Sequence, residues 1–209
     1  MLSALDALAR LQEGNRRFAS GVRSLDSLGT RTRISALAGG QEPFAVVFGC
    51  SDSRVPAEIV FDQGLGDLFV IRVAGNIVAP SLVGSVEFAV ERFGTRLVVV
   101  LGHTKCGAIQ ATLEELDRPS GSRSPNLRAI VDRVRPSVEA LLGTELRHDR
   151  EGLARQAVRA NIRASADHLR HGSRILEERI QGGGLLVVGA EYSLETGEVD
   201  FFDGLPAPA

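Results

Sequence analysis

Four short apolar runs recur along the chain, each rich in valine and bounded by glycine, at residues 44–49, 68–75, 97–103 and 185–192. Polar residues do not alternate through these runs, which is typical of parallel strands that are covered on both faces. The pattern therefore predicts four buried strands. A fifth strand is predicted at 198–204, where the turn-like sequence ETGE favours an antiparallel strand at the edge of the sheet.

Segments of helical periodicity lie between and after these strands. Residues 81–94 place their apolar side chains in one broad stripe and end at a glycine, a common helix terminator. Similar patterns cover residues 108–117, 126–143 and 150–180, and Pro136 is expected to kink or split the second of these. Strand alternating with helix predicts an α/β fold, with a mainly parallel central sheet of four strands, an antiparallel edge strand and flanking helices.

The chain shows no internal repeat and no linker long enough to divide it, so residues 1–209 predict a single domain. Residues 1–40 form a helical arm outside the strand–helix alternation, and we expect its helices to pack on a partner subunit. Residues 204–209 are expected to form a tail. No apolar stretch approaches the roughly 20 residues of a membrane helix, and the N-terminus lacks the apolar core of a secretory signal.

Charge and cysteine content limit the classes of partner and the cellular compartment that can be expected. The 24 basic and 26 acidic residues are mixed along the chain and give a formal net charge of −2, so no basic surface for nucleic acid or an anionic membrane is predicted. The two cysteines, Cys50 and Cys106, are too few for a disulfide framework and indicate a reducing compartment. These features favour a cytoplasmic protein with neither nucleic acid nor a membrane as partner.

Chemically versatile side chains follow two of the predicted strands. Cys50, Asp52 and Arg54 follow the first strand, and His103 and Cys106 follow the third. Ligands of open α/β sheets bind at the carboxyl ends of strands, so the two cysteines and the histidine converge if these strands are neighbours. Two thiolates and an imidazole are typical zinc ligands, and three protein ligands leave a fourth position for water, substrate or a carboxylate.

Asp52 and Arg54 lie two residues apart and therefore point the same way from an extended chain. They can form a bidentate ion pair, which would keep Asp52 ionised beside the metal. Released from Arg54, Asp52 could instead become the fourth metal ligand and close the site.

Other interpretations of these residues remain open at this point. Cys50 and Cys106 could be buried free cysteines or a redox couple, although five such residues at two strand ends favour a metal. A zinc-stabilised assembly module without catalytic activity is a further alternative, but it would not need the Asp52–Arg54 pair. His148, His168 and His171 are interpreted as solvated surface residues.

The two motifs resemble those of the beta-class carbonic anhydrases. The C-x-D-x-R motif of that family stands here as Cys50, Asp52 and Arg54, and its H-x-x-C motif as His103 and Cys106, and the resemblance covers about residues 3–203. It implies reversible hydration of carbon dioxide to bicarbonate and a proton by zinc-bound hydroxide, with one Zn²⁺ per chain. Asp52 would orient the hydroxide and Arg54 would orient Asp52. Hydrolases of carbon disulfide or carbonyl sulfide resemble the same family and remain an alternative.

The resemblance also implies a substrate pocket and an oligomer. The pocket residues that match are Gln41, Val55, Phe69, Phe88 and Gly107. Core packing is an equally good interpretation of both phenylalanines. A homodimer or homotetramer is expected, with chains embracing through their N-terminal helices and building the active sites at their interface.

Some members of the family close the zinc site with the aspartate when bicarbonate binds beside a tryptophan. This chain has no tryptophan and carries Val47 near that place, although Arg72 is present. We therefore expect the open site, with Asp52 off the metal, to dominate at neutral pH.

Overall fold

The computed structural model describes residues 2–24, 31–117 and 124–206. Its centre is one sheet made of β1 (Ala45–Gly49), β2 (Leu68–Arg72), β3 (Leu97–His103), β4 (Leu186–Tyr192) and β5 (Val199–Asp203). The strand order is β2-β1-β3-β4-β5. Neighbours pair in parallel from β2 to β4, and β5 is antiparallel to β4. This arrangement confirms the predicted α/β fold and its antiparallel edge strand.

The helices of the described residues are α1 (Ala4–Ala19), α2 (Arg31–Leu37), α3 (Ala57–Val60), α4 (Pro80–Phe93), α5 (Gly107–Asp117), α6 (Pro125–Leu142), α7 (Arg150–His171) and α8 (Arg174–Gln181). Two of them differ from the sequence prediction. Pro136 does not split α6, which continues through it and buries Val134 and Val138 on either side. The single helix predicted over 150–180 is instead two, because Ser173 caps a new helix by accepting a hydrogen bond from Leu176 N–H.

Side chains of the central strands alternate between two apolar clusters. Val98 and Val100 of β3 join the cluster under α4, α6 and α7, whereas Val99 and Leu101 join the one under α1 and α3. All seven residues of β3 are buried. The strands that carry the candidate metal ligands are therefore held rigidly from both sides.

Helix α1 covers the sheet of its own chain. Ala7, Leu8 and Leu11 are buried there. Asn15 anchors the helix by donating to the carbonyls of Val60 and Gly197. Packing of the N-terminal helices on a partner subunit stays a prediction, as do the single domain and the tail at 204–209, of which residues 207–209 lie outside the described part of the chain. Among the described residues, no helix combines the length and apolar character required for crossing a bilayer.

Candidate metal centre

The ends of β1 and β3 bring together the side chains that the sequence singles out. The two strands are parallel neighbours, with Gly49 opposite Leu101, so Cys50 emerges beside the last residues of β3. Lys105 adopts a left-handed conformation, with φ of 55°, in the turn that leads from His103 to Cys106. Ligand atoms of Cys50, His103 and Cys106 all lie within 4.8 Å of one another. All three side chains are buried.

His103 presents one free nitrogen to this cluster. Its Nδ1 donates a hydrogen bond to the backbone carbonyl of Thr104 over 2.9 Å. In the neutral imidazole this hydrogen bond leaves the lone pair on Nε2. Nε2 is buried, and within the described part of the chain it has no hydrogen-bond partner. A buried polar atom without a partner destabilises the folded state unless a ligand satisfies it.

The two thiols share one proton. A hydrogen bond with Cys106 lowers the pKa of Cys50 to about 4 in spite of burial, and the N–H of Gly75 also donates to Cys50 Sγ over 3.3 Å. The same contact with Cys50, together with burial, raises the pKa of Cys106. At neutral pH the metal-free pair of cysteines therefore favours one thiolate and one thiol over two thiolates, and the hydrogen bond between them lowers the pKa of Cys50.

Asp52 is tied firmly to Arg54. The guanidinium donates to Oδ1 over 2.9 Å and to Oδ2 over 2.7 Å, and Arg54 N–H also donates to Oδ1. These hydrogen bonds hold the pKa of Asp52 well below its ordinary range, so the group is a carboxylate at any physiological pH. Its Oδ2 lies 3.7 Å from Nε2 of His103. The carboxylate thus borders the cluster without belonging to it.

Backbone contacts to the cluster were not identified from the sequence. Arg72 of β2 donates to the carbonyls of Cys50 and Asp52, which fixes the loop that carries both residues. Gly75 supplies a backbone N–H, which no side-chain motif reveals. A glycine inside an otherwise apolar segment was the available signal, since glycine often marks a close approach of the backbone.

The predicted pocket residues fall into two groups within one chain. Val55 is buried just beyond Arg54, and Gly107 begins α5 directly after Cys106. The remaining three lie at the other end of β1. Gln41 lines a cavity of about 790 Å³ that Phe93 also borders. Phe93 packs against Phe69 and Phe88 with ring centroids 5.9 and 5.7 Å apart.

Strand geometry separates the second group from the metal cluster. Phe69 lies opposite Val46, four residues before Cys50. At about 3.3 Å per residue, these four residues span roughly 13 Å. Gln41 precedes the start of β1, whereas Cys50 follows its end. One chain therefore does not bring Gln41, Phe69 and Phe88 to its own metal cluster.

The donor set itself fits a metal ion. Two sulfur atoms and one imidazole nitrogen, all buried, are a ligand set of the kind that binds zinc, and three protein ligands leave one position open. The cluster lies at the carboxyl ends of parallel strands, where open α/β sheets bind their ligands, so the chain is an α/β protein with a candidate metal centre at that edge of its sheet.

Comparison with known proteins specifies the family. A family model described as carbonic anhydrase matches residues 45–199. Carbonic anhydrase 2 of Mycobacterium tuberculosis is 43% identical over 192 residues, which are 90% of this chain and 87% of that protein. The chain belongs to the carbonic anhydrase family, and it is an enzyme that hydrates carbon dioxide.

Solved structures agree on the class. The beta-carbonic anhydrase of Coccomyxa, solved in complex with acetazolamide, superposes with a TM-score of 0.73 at 28% identity, covering 93% of this chain and 86% of that one. One of two tetrameric beta-carbonic anhydrases from Sordaria macrospora superposes with a TM-score of 0.72 at 26% identity, covering 81% and 85%. The fold is thus that of the beta class.

Proposed function

We propose that Cys50, His103 and Cys106 bind one Zn²⁺ and that carbon dioxide is hydrated at this centre. The observation that carries the proposal is the buried Nε2 of His103, which lacks a hydrogen-bond partner among the described residues and lies with two thiol sulfurs inside 4.8 Å. When bound, zinc supplies a Lewis acid that makes hydroxide available near neutral pH. The chain itself supplies the ligand set, the orientation of the reacting water and the pocket.

Asp52 orients the reacting water in this proposal. Because Arg54 keeps Asp52 ionised, the carboxylate can only accept hydrogen bonds. Oδ2 lies 3.7 Å from His103 Nε2, close enough to the ligand set to accept the hydrogen of the water. A lone pair of that oxygen would then face carbon dioxide, and the proton lost when hydroxide forms would pass to the solvent, because Asp52 stays ionised. Arg54 also opposes movement of Asp52 onto the metal, which supports the expectation of an open site.

Gln41, Phe69 and Phe88 reach a metal centre in this proposal only as part of a second subunit. They lie at the far end of β1 from the cysteines of their own chain, and Phe88 is 53% exposed. The tetrameric state of the Sordaria macrospora relatives supports a homo-oligomer here as well. The small-molecule substrate would then lie between Val55 and Gly107 of one chain and the aromatic group of its partner.

The alternatives are less well supported. The matched relatives are named carbonic anhydrases, and the tight Asp52–Arg54 pair would be superfluous in an assembly module. Hydrolysis of carbon disulfide or carbonyl sulfide is therefore not favoured. A cytoplasmic location, suggested by two unpaired buried cysteines, is retained as part of the proposal.

Stopped-flow carbon dioxide hydration by zinc-quantified protein, at about pH 7 and about pH 8.5, tests the function. His103→Ala is expected to lose both zinc and activity. His148→Ala, which removes an exposed histidine, is the matched control and should retain both. A zinc-free wild-type protein with full activity would contradict the proposal.

A further inference from the structure

The turn at Ala74–Asn76 lies against the metal cluster, since the N–H of Gly75 donates to Cys50 Sγ. Gly75 and Asn76 both have positive φ, at 72° and 43°. A left-handed conformation is unusual for a residue other than glycine, so Asn76 needs support from its surroundings. A side chain on Gly75 would place its Cβ 2.9 Å from the Cβ of Ala108, and little room exists for the turn to shift.

Two buried side chains of α7 hold this turn. Asn161 Nδ2 donates to the carbonyl of Gly75 over 2.8 Å, and Ser165 Oγ donates to the carbonyl of Asn76 over 2.9 Å. Only 3% of Asn161 and 5% of Ser165 are exposed. Four residues apart, they share one face of the helix. The carbonyls of Gly75 and Asn76 are therefore both fixed by α7.

The position of α7 is itself fixed against the strand that carries the histidine ligand. Ile162, between the two polar residues, packs on Gly102 so closely that a Cβ there would lie 2.5 Å from Ile162 Cδ1. Gly102 directly precedes His103 on β3. Helix α7 thus fixes the positions of both the strand that carries His103 and the turn that contains Gly75.

We infer that Asn161 and Ser165 are positioning residues that hold the Gly75 N–H on Cys50 Sγ and thereby tune the bond between this sulfur and the metal. A hydrogen bond to a ligand sulfur withdraws charge from it, and such contacts around metal ligands change affinity and electronic properties. The inference rests on the proposed zinc site. It predicts that substitution of Asn161 or Ser165 changes the charge on Cys50 Sγ in addition to any loss of stability.

Cobalt(II) replacing the native metal tests this, because thiolate-to-cobalt charge-transfer absorption reports directly on the sulfur. For Asn161→Ala we expect a charge-transfer band at lower energy, because the sulfur regains charge, and about tenfold weaker cobalt binding, because the Gly75 turn no longer holds the Cys50 ligand in position. Asn15→Ala is the matched control, because Asn15 is also a buried asparagine whose side-chain amide donates to the backbone, in its case to the carbonyls of Val60 and Gly197. It should leave the cobalt affinity and the band unchanged.

The cobalt spectra distinguish a positioning role of Asn161 and Ser165 from a purely structural role and from the absence of a zinc site. An unchanged band in folded Asn161→Ala, or equal changes in both variants, would overturn the inference and leave only a structural role. If Asn161→Ala does not fold, Ser165→Ala takes its place with a smaller shift expected in the same direction, and an unchanged band there overturns the inference equally. Wild-type protein that shows no thiolate-to-cobalt band would instead remove the proposed zinc site, and the positioning role with it.

Discussion

Arg54 holds Asp52 by both carboxylate oxygens, while Oδ2 of the same carboxylate stays 3.7 Å from Nε2 of His103. Asp52 is therefore fixed on one side and faces the ligand cluster on the other. This geometry suits a hydrogen-bond acceptor that orients a reacting molecule, and it does not suit a resident metal ligand, since ligation would require breaking two charge-assisted hydrogen bonds.

Asp52→Asn tests that role with almost no change in size. The amide keeps an oxygen but brings an NH2 group, so the acceptor-only character of Asp52 is lost. We expect kcat/KM for carbon dioxide hydration to fall by about 100-fold, at the upper end of the effect of losing a group that orients a metal site. Zinc content should stay at the wild-type value, because Cys50, His103 and Cys106 are untouched. A zinc-replete Asp52→Asn variant with kcat/KM within about twofold of the wild-type value would contradict the role of Asp52 in orienting the reacting molecule.

Arg54→Gln should change the response to acid. Arg54 depresses the pKa of Asp52 below its ordinary value of 3.8, so the ion pair stabilises the folded state above that value and is lost as the pH falls through the depressed pKa. The stability difference between wild type and variant should thus be constant above about pH 5 and shrink below about pH 4. Arg54 is half exposed, so the difference will be small.

Urea midpoints measured from about pH 3 to pH 7 would show this difference. A chelator in both samples removes metal loss as a variable. Arg128→Gln, which breaks an exposed ion pair with Asp132 on α6, is a suitable control, and its urea midpoints should show the same pH dependence as those of wild type. A difference that grows on acidification would show that Arg54 does not lower the pKa of Asp52.

Zinc binding at pH 7 should release about one proton per chain. The hydrogen bond between the two sulfurs lowers the pKa of Cys50 and, with burial, raises that of Cys106, so the metal-free pair holds one proton that must be lost on coordination. Calorimetric titration with zinc in buffers of different ionisation enthalpy measures the number. Two or more protons would mean that both cysteines are thiols before binding or that His103, whose pKa is raised by Cys50 in spite of burial, is protonated as well, and none would mean that both cysteines are thiolates.

Phe88→Glu is expected to break the oligomer and the activity together. Phe88 is 53% exposed and packs on Phe69 at 6.2 Å between ring centroids, so a charge there would be buried on assembly with a partner. Leu127→Glu on α6 is the control, because Leu127 is similarly exposed, at 56%, and lies outside the aromatic group. Light scattering and hydration assays on both variants distinguish them. An oligomeric, fully active Phe88→Glu variant would place the substrate pocket elsewhere.

Much of the fold follows from the sequence because β1, β3 and β4 are short, buried and bounded by glycine. The positions of Cys50 and His103 follow too, since strand ends in parallel sheets meet at one edge. Local pattern could not foretell that α6 continues through Pro136, because tertiary packing of Val134 and Val138 outweighs the lost hydrogen bond.

The pocket shows a different limit of sequence interpretation. A motif groups Gln41, Phe69 and Phe88 with the cysteines by resemblance, whereas the register of β1 with β2 separates them within one chain. Backbone donors such as the Gly75 N–H leave only an indirect signal in the sequence, here a glycine within an apolar segment. Only the folded chain reveals them, together with the α7 side chains that hold them.

Cys50 and His103 belong to paired strands that are not consecutive, since β2 and α4 intervene in the chain. No local segment can assemble the cluster before β1 and β3 have paired. During synthesis the ligand set is incomplete until Cys106 has left the ribosome and the long crossover through β2 and α4 is in place. The metal would therefore bind only chains in which β1 and β3 have paired, and its binding free energy would stabilise that central strand pair.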